Sequence, residues 1–154
     1  MSSLHLEEAT IKDIPILINI EQEVTSEKTY SAMVTEEEWL KELRENKVFL
    51  IKKEGALVGE LAYQIRDDQE IYLSGIVILK QFRRQGIARG VLSDLLNKYP
   101  INNFSLVTHP NNHAIFLYQS LGFKILERTE NYFGDGEPRL KLYLSREKSK
   151  DLLK

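Results

Sequence analysis

The chain of 154 residues contains no cysteine, which removes disulfide bridges, thiolate metal sites and cysteine nucleophiles at once. It also has no excess of one charge. With 21 Lys and Arg against 23 Asp and Glu the net charge is −2, so there is no electrostatic case for nucleic acid as a main partner. No apolar run approaches the roughly 20 residues of a membrane span, and no membrane partner is expected. The opening stretch MSSLHLEEATIKD lacks a basic segment followed by an apolar one, so it does not read as a signal peptide. Repeats, low-complexity tracts and linkers are absent too. What is there is ordinary globular usage, 42% hydrophobic and 29% charged, in a chain long enough to bury a core. The expectation is one cytoplasmic domain over residues 1–145, followed by a charged tail over 146–154.

The most informative stretch runs from Glu70 to Tyr99. Ile71 to Leu79 is almost wholly apolar and rich in Ile, Val and Tyr, which predicts a strand buried on both faces. A basic turn follows, Lys80-Gln81-Phe82-Arg83-Arg84-Gln85-Gly86-Ile87-Ala88-Arg89. Ile87, Val91, Leu92, Leu95, Leu96 and Tyr99 then fall on one face of an amphipathic helix. The turn therefore sits at a helix N-terminus, where N–H groups lack partners and the helix dipole is positive. Gly86 and Ala88 leave the backbone accessible, and Arg83, Arg84 and Arg89 add donors suited to phosphate. These features make a phosphate cradle. It has neither the lysine and length of a Walker loop nor the three glycines of a dinucleotide fingerprint.

On either side of this unit the pattern supplies the remaining elements. Leu4-His5-Leu6-Glu7-Glu8 alternates as a first strand, and Thr10 or Asp13 can cap a helix from Ile11 to Val24 with Ile14, Leu17 and Ile18 inward. Pro15 belongs in a first turn, favouring the later start. Residues 25–34 read as a polar loop, and Thr35 to Glu38 as a capping box opening a helix with Trp39, Leu40 and Leu43 inward. Val48 to Ile51 and Ala56 to Ile65 form a hairpin across Lys53-Glu54-Gly55. Pro100 ends the central helix, Phe104 to Val107 is a short strand, and Thr108-His109-Pro110-Asn111-Asn112 is a polar turn. His113 to Leu121 reads as a helix with Ile115, Phe116 and Leu117 along it, closed by Gly122. Phe123 to Arg128 and Arg139 to Leu144 are the last strands. The order is β-α-α-β-β-β-α-β-α-β-β, a mixed α/β sheet of the α+β kind, antiparallel at first and with one crossover.

Arg83-x-x-Gly86-x-Ala88 after an apolar strand resembles the [RQ]-x-x-G-x-[GA] acetyl-coenzyme A loop of the GNAT N-acetyltransferase superfamily. Asn111-x-x-Ala114-x-x-x-Tyr118-x-x-x-Gly122-Phe123 resembles a second segment of that family in spacing and in every named residue. The resemblance implies the GNAT acyl-CoA N-acyltransferase fold, with a splayed central sheet and acetyl-CoA lying in the opening. On these positions it implies pantetheine pairing with Ile76, Val77 and Ile78, and pyrophosphate on the backbone of Arg84, Gln85, Gly86, Ile87, Ala88 and Arg89. A backbone N–H near Val77 or Ile78 would polarise the thioester carbonyl. Gly75, inside the strand, fits a bulge or close backbone approach. Tyr118 takes the place of the acid that reprotonates the thiolate, though at helical spacing it also reads as a core tyrosine. Asn111 reads equally as a helix cap or a cofactor contact, Gly122-Phe123 as structural, and His109 as a loop histidine.

Asn131-Tyr132-Phe133-Gly134-Asp135-Gly136-Glu137 resembles the N-Y-Y-x-x-G-E-D region of RimI-like enzymes, which acetylate protein N-termini. Their glutamate base falls here on Leu106, and the D-A after the glutamate of that region is replaced by Pro138-Arg139. Glu60 is a candidate base acting through water, against the simpler reading of an exposed structural glutamate. Tyr30, Tyr132 and Glu137 are candidate amine-binding residues on a substrate rim. No metal site is expected. The expected activity is acetyl transfer from acetyl-CoA to a primary amine, first a protein or peptide α-amine, then a small amine such as a polyamine or amino acid. A non-catalytic acyl-CoA-binding domain is the rival, and a homodimer is left open.

Overall fold

The computed structural model describes residues 4–146. All of the expected tail except Arg146 lies outside the described residues. Capping and turn chemistry set the element boundaries. At Thr10 a capping box forms, with Asp13 Oδ2 accepting the Thr10 N–H at 2.8 Å, and it closes a 3-10 turn, Ile11–Asp13, rather than the helix itself. The helix α1, Ile14–Gln22, starts after it, with Pro15 in its first turn where no N–H is needed. Thr35 Oγ1 accepts the Glu38 N–H at 3.2 Å and Glu38 Oε1 accepts the Thr35 N–H at 3.3 Å, opening α2, Glu36–Glu45.

The strands are β1 (Leu4–Glu8), β2 (Lys47–Lys53), β3 (Ala56–Ile65), β4 (Ile71–Ile78), β5 (Phe104–Thr108), β6 (Lys124–Thr129) and β7 (Arg139–Leu144). Two further helices, α3 (Ile87–Lys98) and α4 (Ala114–Ser120), complete the order read from the sequence. Glu54 and Gly55, both at positive φ (51° and 83°), make the tight turn between β2 and β3, where the strands' twist demands left-handed residues. Gly122 at φ 107° ends α4 in the same way.

The seven strands lie in the order β1-β2-β3-β4-β5-β7-β6, antiparallel except for the β4–β5 pair. Alternating residues divide the core between the two faces. Val48, Leu50, Ala62 and Val77 pack against α1 and α2 through Leu17, Ile20 and Trp39. Ile51, Leu61, Tyr63, Ile71 and Leu73 pack against α3 and α4 through Ile87, Val91, Leu95 and Tyr118. At roughly 1.5–3 kcal/mol per buried large apolar side chain, these two layers supply the main stabilisation.

The structure corrects several expectations. Strand β4 is not buried on both faces: Ile71, Leu73 and Val77 are, but Ile76 and Ile78 are only partly covered and Gly75 is exposed. The reason is its pairing. β5 matches β4 only over Ile71–Leu73, opposite Phe104–Leu106, and beyond Leu73 the two strands part. A bulge accompanies the parting, since Ala62 and Tyr63 on β3 pair with Gly75 and Leu73, leaving Ser74 as the extra residue. Phe116 on α4 points to solvent, and β6 is an edge strand exposed along its whole length.

Gly59 permits the closest approach in the sheet. A Cβ there would overlap the Val77 carbonyl oxygen, which is backbone and cannot move aside. Gly59→Ala is therefore expected to destabilise the fold by about 2–3 kcal/mol. Thermal unfolding should show a Tm lowered by roughly 5–10 °C.

Candidate active site

Where β4 and β5 diverge, a cleft of about 770 Å³ opens, within the size range of small-molecule sites. Three segments wall it. Ile76 and Ile78 come from β4, Phe82 to Arg84 and Gly86 to Arg89 from the basic turn and the start of α3, and Asn111 to Ala114, Leu117 and Tyr118 from the turn after β5 and α4. The fourth side is the loop between α1 and α2, through Glu27, Lys28, Thr29 and Tyr30.

The basic turn is shaped for an anion. Gly86 is the N-cap of α3 at φ 75°, and a Cβ there would meet no protein atom within 4 Å, so the space it borders is open. Arg84 also lies at positive φ, 64°, an uncommon state for a non-glycine residue and one that recurs at ligand sites. Arg83 donates from Nε to the Ile78 carbonyl at 3.0 Å and lies 3.6 Å from Glu27, while its buried Nη2 has no partner. Arg89 reaches Ser120 Oγ at 3.0 Å, joining α3 to α4 across the mouth. Unpaired N–H groups, a helix dipole and cationic side chains thus converge on one open volume.

Tyr118 stands at the inner end of this volume, its ring 5.9 Å from that of Phe123 and nearly edge-on to it. Burial, and then the nearby Tyr30, raise its pKa well above the ordinary phenol value. It stays protonated at neutral pH and is available as a donor. Tyr30 is raised too, chiefly by burial. The structure thus makes Tyr118 both a packed residue and a wall of the cleft, so the two sequence readings are compatible.

Of the other candidates, Ile76, Ile78, Arg83, Arg84, Gly86, Ile87, Ala88, Arg89 and Asn111 line the cleft. Val77 and Gln85 do not. Val77 turns its side chain into the α1–α2 core, and Gln85 accepts from Lys53 Nζ at 3.4 Å. Asn111 is not the helix cap; His113 is the N-cap of α4, and just before it Asn112 Oδ1 accepts the Ala114 N–H at 2.9 Å.

Tyr30 lines the cleft, whereas Tyr132 and Glu137 are not among its lining residues. Glu137 is engaged elsewhere, 2.8 Å from Nε2 of the buried His109. His109 is no free loop residue: its Nδ1 accepts the Asn111 N–H at 3.0 Å, which puts the ring proton on Nε2, facing Glu137. It ties the β6–β7 loop to the turn bearing Asn111. That loop is also closed on itself, since the buried Arg139 meets Asp135 at 2.8 Å and lies over the Phe133 ring. The Asp135 carboxyl is held below its usual range, first by the Glu137 N–H and also by Arg139.

Leu106, where a glutamate base would fall, is packed in the α3–α4 side of the core. Glu60 is not an exposed structural glutamate: it is 5% exposed, beside Glu21 and Glu42. This cluster leaves no mark along the chain, because Glu21, Glu42 and Glu60 come from three separate elements. Glu27, also missed, sits in a stretch without period.

A mixed sheet opened between two parallel strands, with a glycine-led helix N-terminus at the opening, defines a splayed α/β fold built to admit an anionic ligand. A model of the acetyltransferase (GNAT) family matches residues 14–123, and the chain belongs to that family. It is 34% identical over 91 residues to N-acetylaspartate synthetase of Danio rerio, covering 56% of this chain and 32% of that protein. The chain thus spans about a third of that relative's length. The ribosomal-protein-S18-alanine N-acetyltransferase of Escherichia coli superposes with a TM-score of 0.75 at 23% identity, over 92% of each chain. A GNAT family acetyltransferase of Elizabethkingia anophelis with acetyl-CoA bound superposes at 0.72 and 18% identity, over 92% of this chain and 97% of that one.

Gly86→Val would place a branched side chain at a left-handed backbone position and in the open mouth. Binding of acetyl-CoA by calorimetry is expected to weaken at least tenfold, about 1.4 kcal/mol, in protein whose thermal unfolding confirms that it is folded.

Proposed function

We propose that the protein transfers the acetyl group of acetyl-CoA to a primary amine by direct attack, with Tyr118 as general acid. The observation that carries this reading is the convergence of the unpaired β4 segment, the Gly86 turn and Tyr118 on one cleft. The basic turn from Arg84 to Arg89 suits the donor's pyrophosphate, and β4 beyond Leu73 has backbone groups free of β5 for its pantetheine arm. The donor supplies an activated thioester carbonyl. A backbone N–H near Val77 or Ile78 stabilises charge on that oxygen, and Tyr118 gives its proton to the departing sulfur.

A protein or peptide α-amine is the favoured acceptor, with a small amine next. The names of the E. coli and Danio rerio relatives describe N-acetylation of an alanine in a ribosomal protein and formation of N-acetylaspartate. Leu106 favours a second reading, a domain that binds acyl-CoA without turnover, because it leaves the family's base position apolar. A screen of peptides and small amines with acetyl-CoA, read by thiol release, separates the two: binding without thiol release would establish the second.

Tyr118→Phe keeps the ring packed and removes the proton donor. It is expected to lower kcat by about 10²–10⁴-fold, with acetyl-CoA affinity and Tm near wild type. A kcat unchanged between pH 6 and 9 would leave Tyr118 with packing alone.

A further inference from the structure

The turn after β5 passes the chain from the sheet to the cleft, and a buried histidine sets its shape. His109-Pro110-Asn111-Asn112 is a β-turn closed by the Asn112 N–H on the His109 carbonyl at 3.0 Å. Pro110 presets φ at its second position. The His109 side chain folds back over the turn, its Nδ1 accepting the Asn111 N–H at 3.0 Å. Its Nε2 meets Glu137 Oε1 at 2.8 Å. His109 is 3% exposed, and both ring nitrogens are occupied, as a buried imidazole requires. Asn112 is secured separately, donating from Nδ2 to Thr108 Oγ1 at 3.0 Å.

Asn111 differs from its neighbour. It lines the cleft, and among the described residues no group bonds its carboxamide. A carboxamide both donates and accepts, which suits the amide groups of a pantetheine arm. Its direction depends on the Asn111 backbone, whose N–H is held by the His109 ring. That ring is oriented in turn by Glu137, 28 residues further along the chain. Glu137 has its own support: its N–H donates to Asp135 Oδ1 at 3.0 Å, and Asp135 Oδ2 accepts from the buried Arg139 at 2.8 Å. A continuous set of hydrogen bonds thus runs from the start of β7 to the wall of the cleft. Glu137 itself stays outside that wall, its Oε1 engaged by the imidazole.

We propose that Glu137 and His109 are positioning residues for the acetyl donor. Glu137 holds the imidazole in the Nε2–H tautomer, and the imidazole holds Asn111 where its carboxamide meets acetyl-CoA. This rests on the acetyl-CoA reading above. Neither residue touches the donor. Without the carboxylate the ring is free to carry its proton on Nδ1, which sets a donor against the Asn111 N–H and breaks that bond. The β6–β7 loop, which stands at the rim, therefore supports the donor side of the cleft rather than supplying a carboxylate to the amine.

The test measures acetyl-CoA affinity by calorimetry, and the amine KM at saturating acetyl-CoA, in variants of Glu137 and Asn111. Glu137→Ala should weaken acetyl-CoA binding about tenfold and leave the amine KM near wild type. Glu137→Gln keeps an oxygen for the Nε2–H and should stay within about threefold of wild type. Asn111→Ala should also lose about tenfold, and adding Glu137→Ala to it should cost less than about twofold more, because both remove the same contact. A residue that merely held the loop together would cost the same in either background. His109→Leu should lose at least as much as Glu137→Ala; if it does not fold, the Glu137 and Asn111 series decides. Native affinity in Glu137→Ala or in Asn111→Ala, or a loss undiminished in the double variant, would overturn the proposal. A raised amine KM in Glu137→Gln with native acetyl-CoA affinity would also overturn it and make Glu137 an amine contact. Wild-type protein that does not bind acetyl-CoA would instead fail at the earlier reading and remove both.

Discussion

The unequal pairing of β4 governs this molecule. On one side the strand is matched to β3 along its length, close enough that Gly59 is needed at the contact. On the other it meets β5 over three residues and then leaves it. Backbone groups inside a protein seek partners, so a sheet interrupted in its middle is costly unless something enters the gap. The Ser74 bulge, the half-covered Ile76 and Ile78 and the left-handed Arg84 and Gly86 all follow that strand out of the sheet. The cleft is thus the place where the hydrogen-bond ladder was left incomplete.

Charge is divided across β4 in a way that suits two unlike partners. At the mouth, Arg83, Arg84 and Arg89 gather beside a helix N-terminus, a setting for an anion. On the α1–α2 face, the buried Glu21 and Glu60 gather with the half-buried Glu42. The loop of residues 25–34 lies between the two regions and touches both, through Glu27 to Arg83 and through the Met33 N–H to Glu21. Trp39 Nε1 anchors the same loop by donating to the Met33 carbonyl at 2.9 Å. A polar segment that read as a plain connection is therefore held at both ends.

The fold was legible because its signals are local. The capping box at Thr35, a Glu54-Gly55 turn and the period of α3 each lie within a few residues, and so do both family motifs. Legibility failed where contacts join distant parts. The apolar run of β4 announces burial but not that one flank opens, since the register with β5 depends on residues some thirty positions away. His109 reads as a loop residue until Glu137 is brought to its Nε2, and Glu60 as a surface glutamate until two helices cover it. Polar residues buried by tertiary partners carry no periodic mark, and Glu21, Glu60 and His109 are of that kind.

The β6–β7 loop has a further meaning for how such a chain can change. Asn131, at φ 51°, accepts the Gly136 N–H at 2.6 Å, and Asp135 holds Arg139, so most of what shapes the loop lies within residues 131–139. One tether to the rest is Glu137 on His109. A segment closed on itself in this manner behaves as a cassette. Its outer side chains, Tyr132 among them, can be exchanged without disturbing the strand register beneath. Several cleft walls have less freedom, because Ile76, Ile78, Ile87 and Tyr118 also pack against the core. A new surface can therefore be tried on this loop while the scaffold stays as it is.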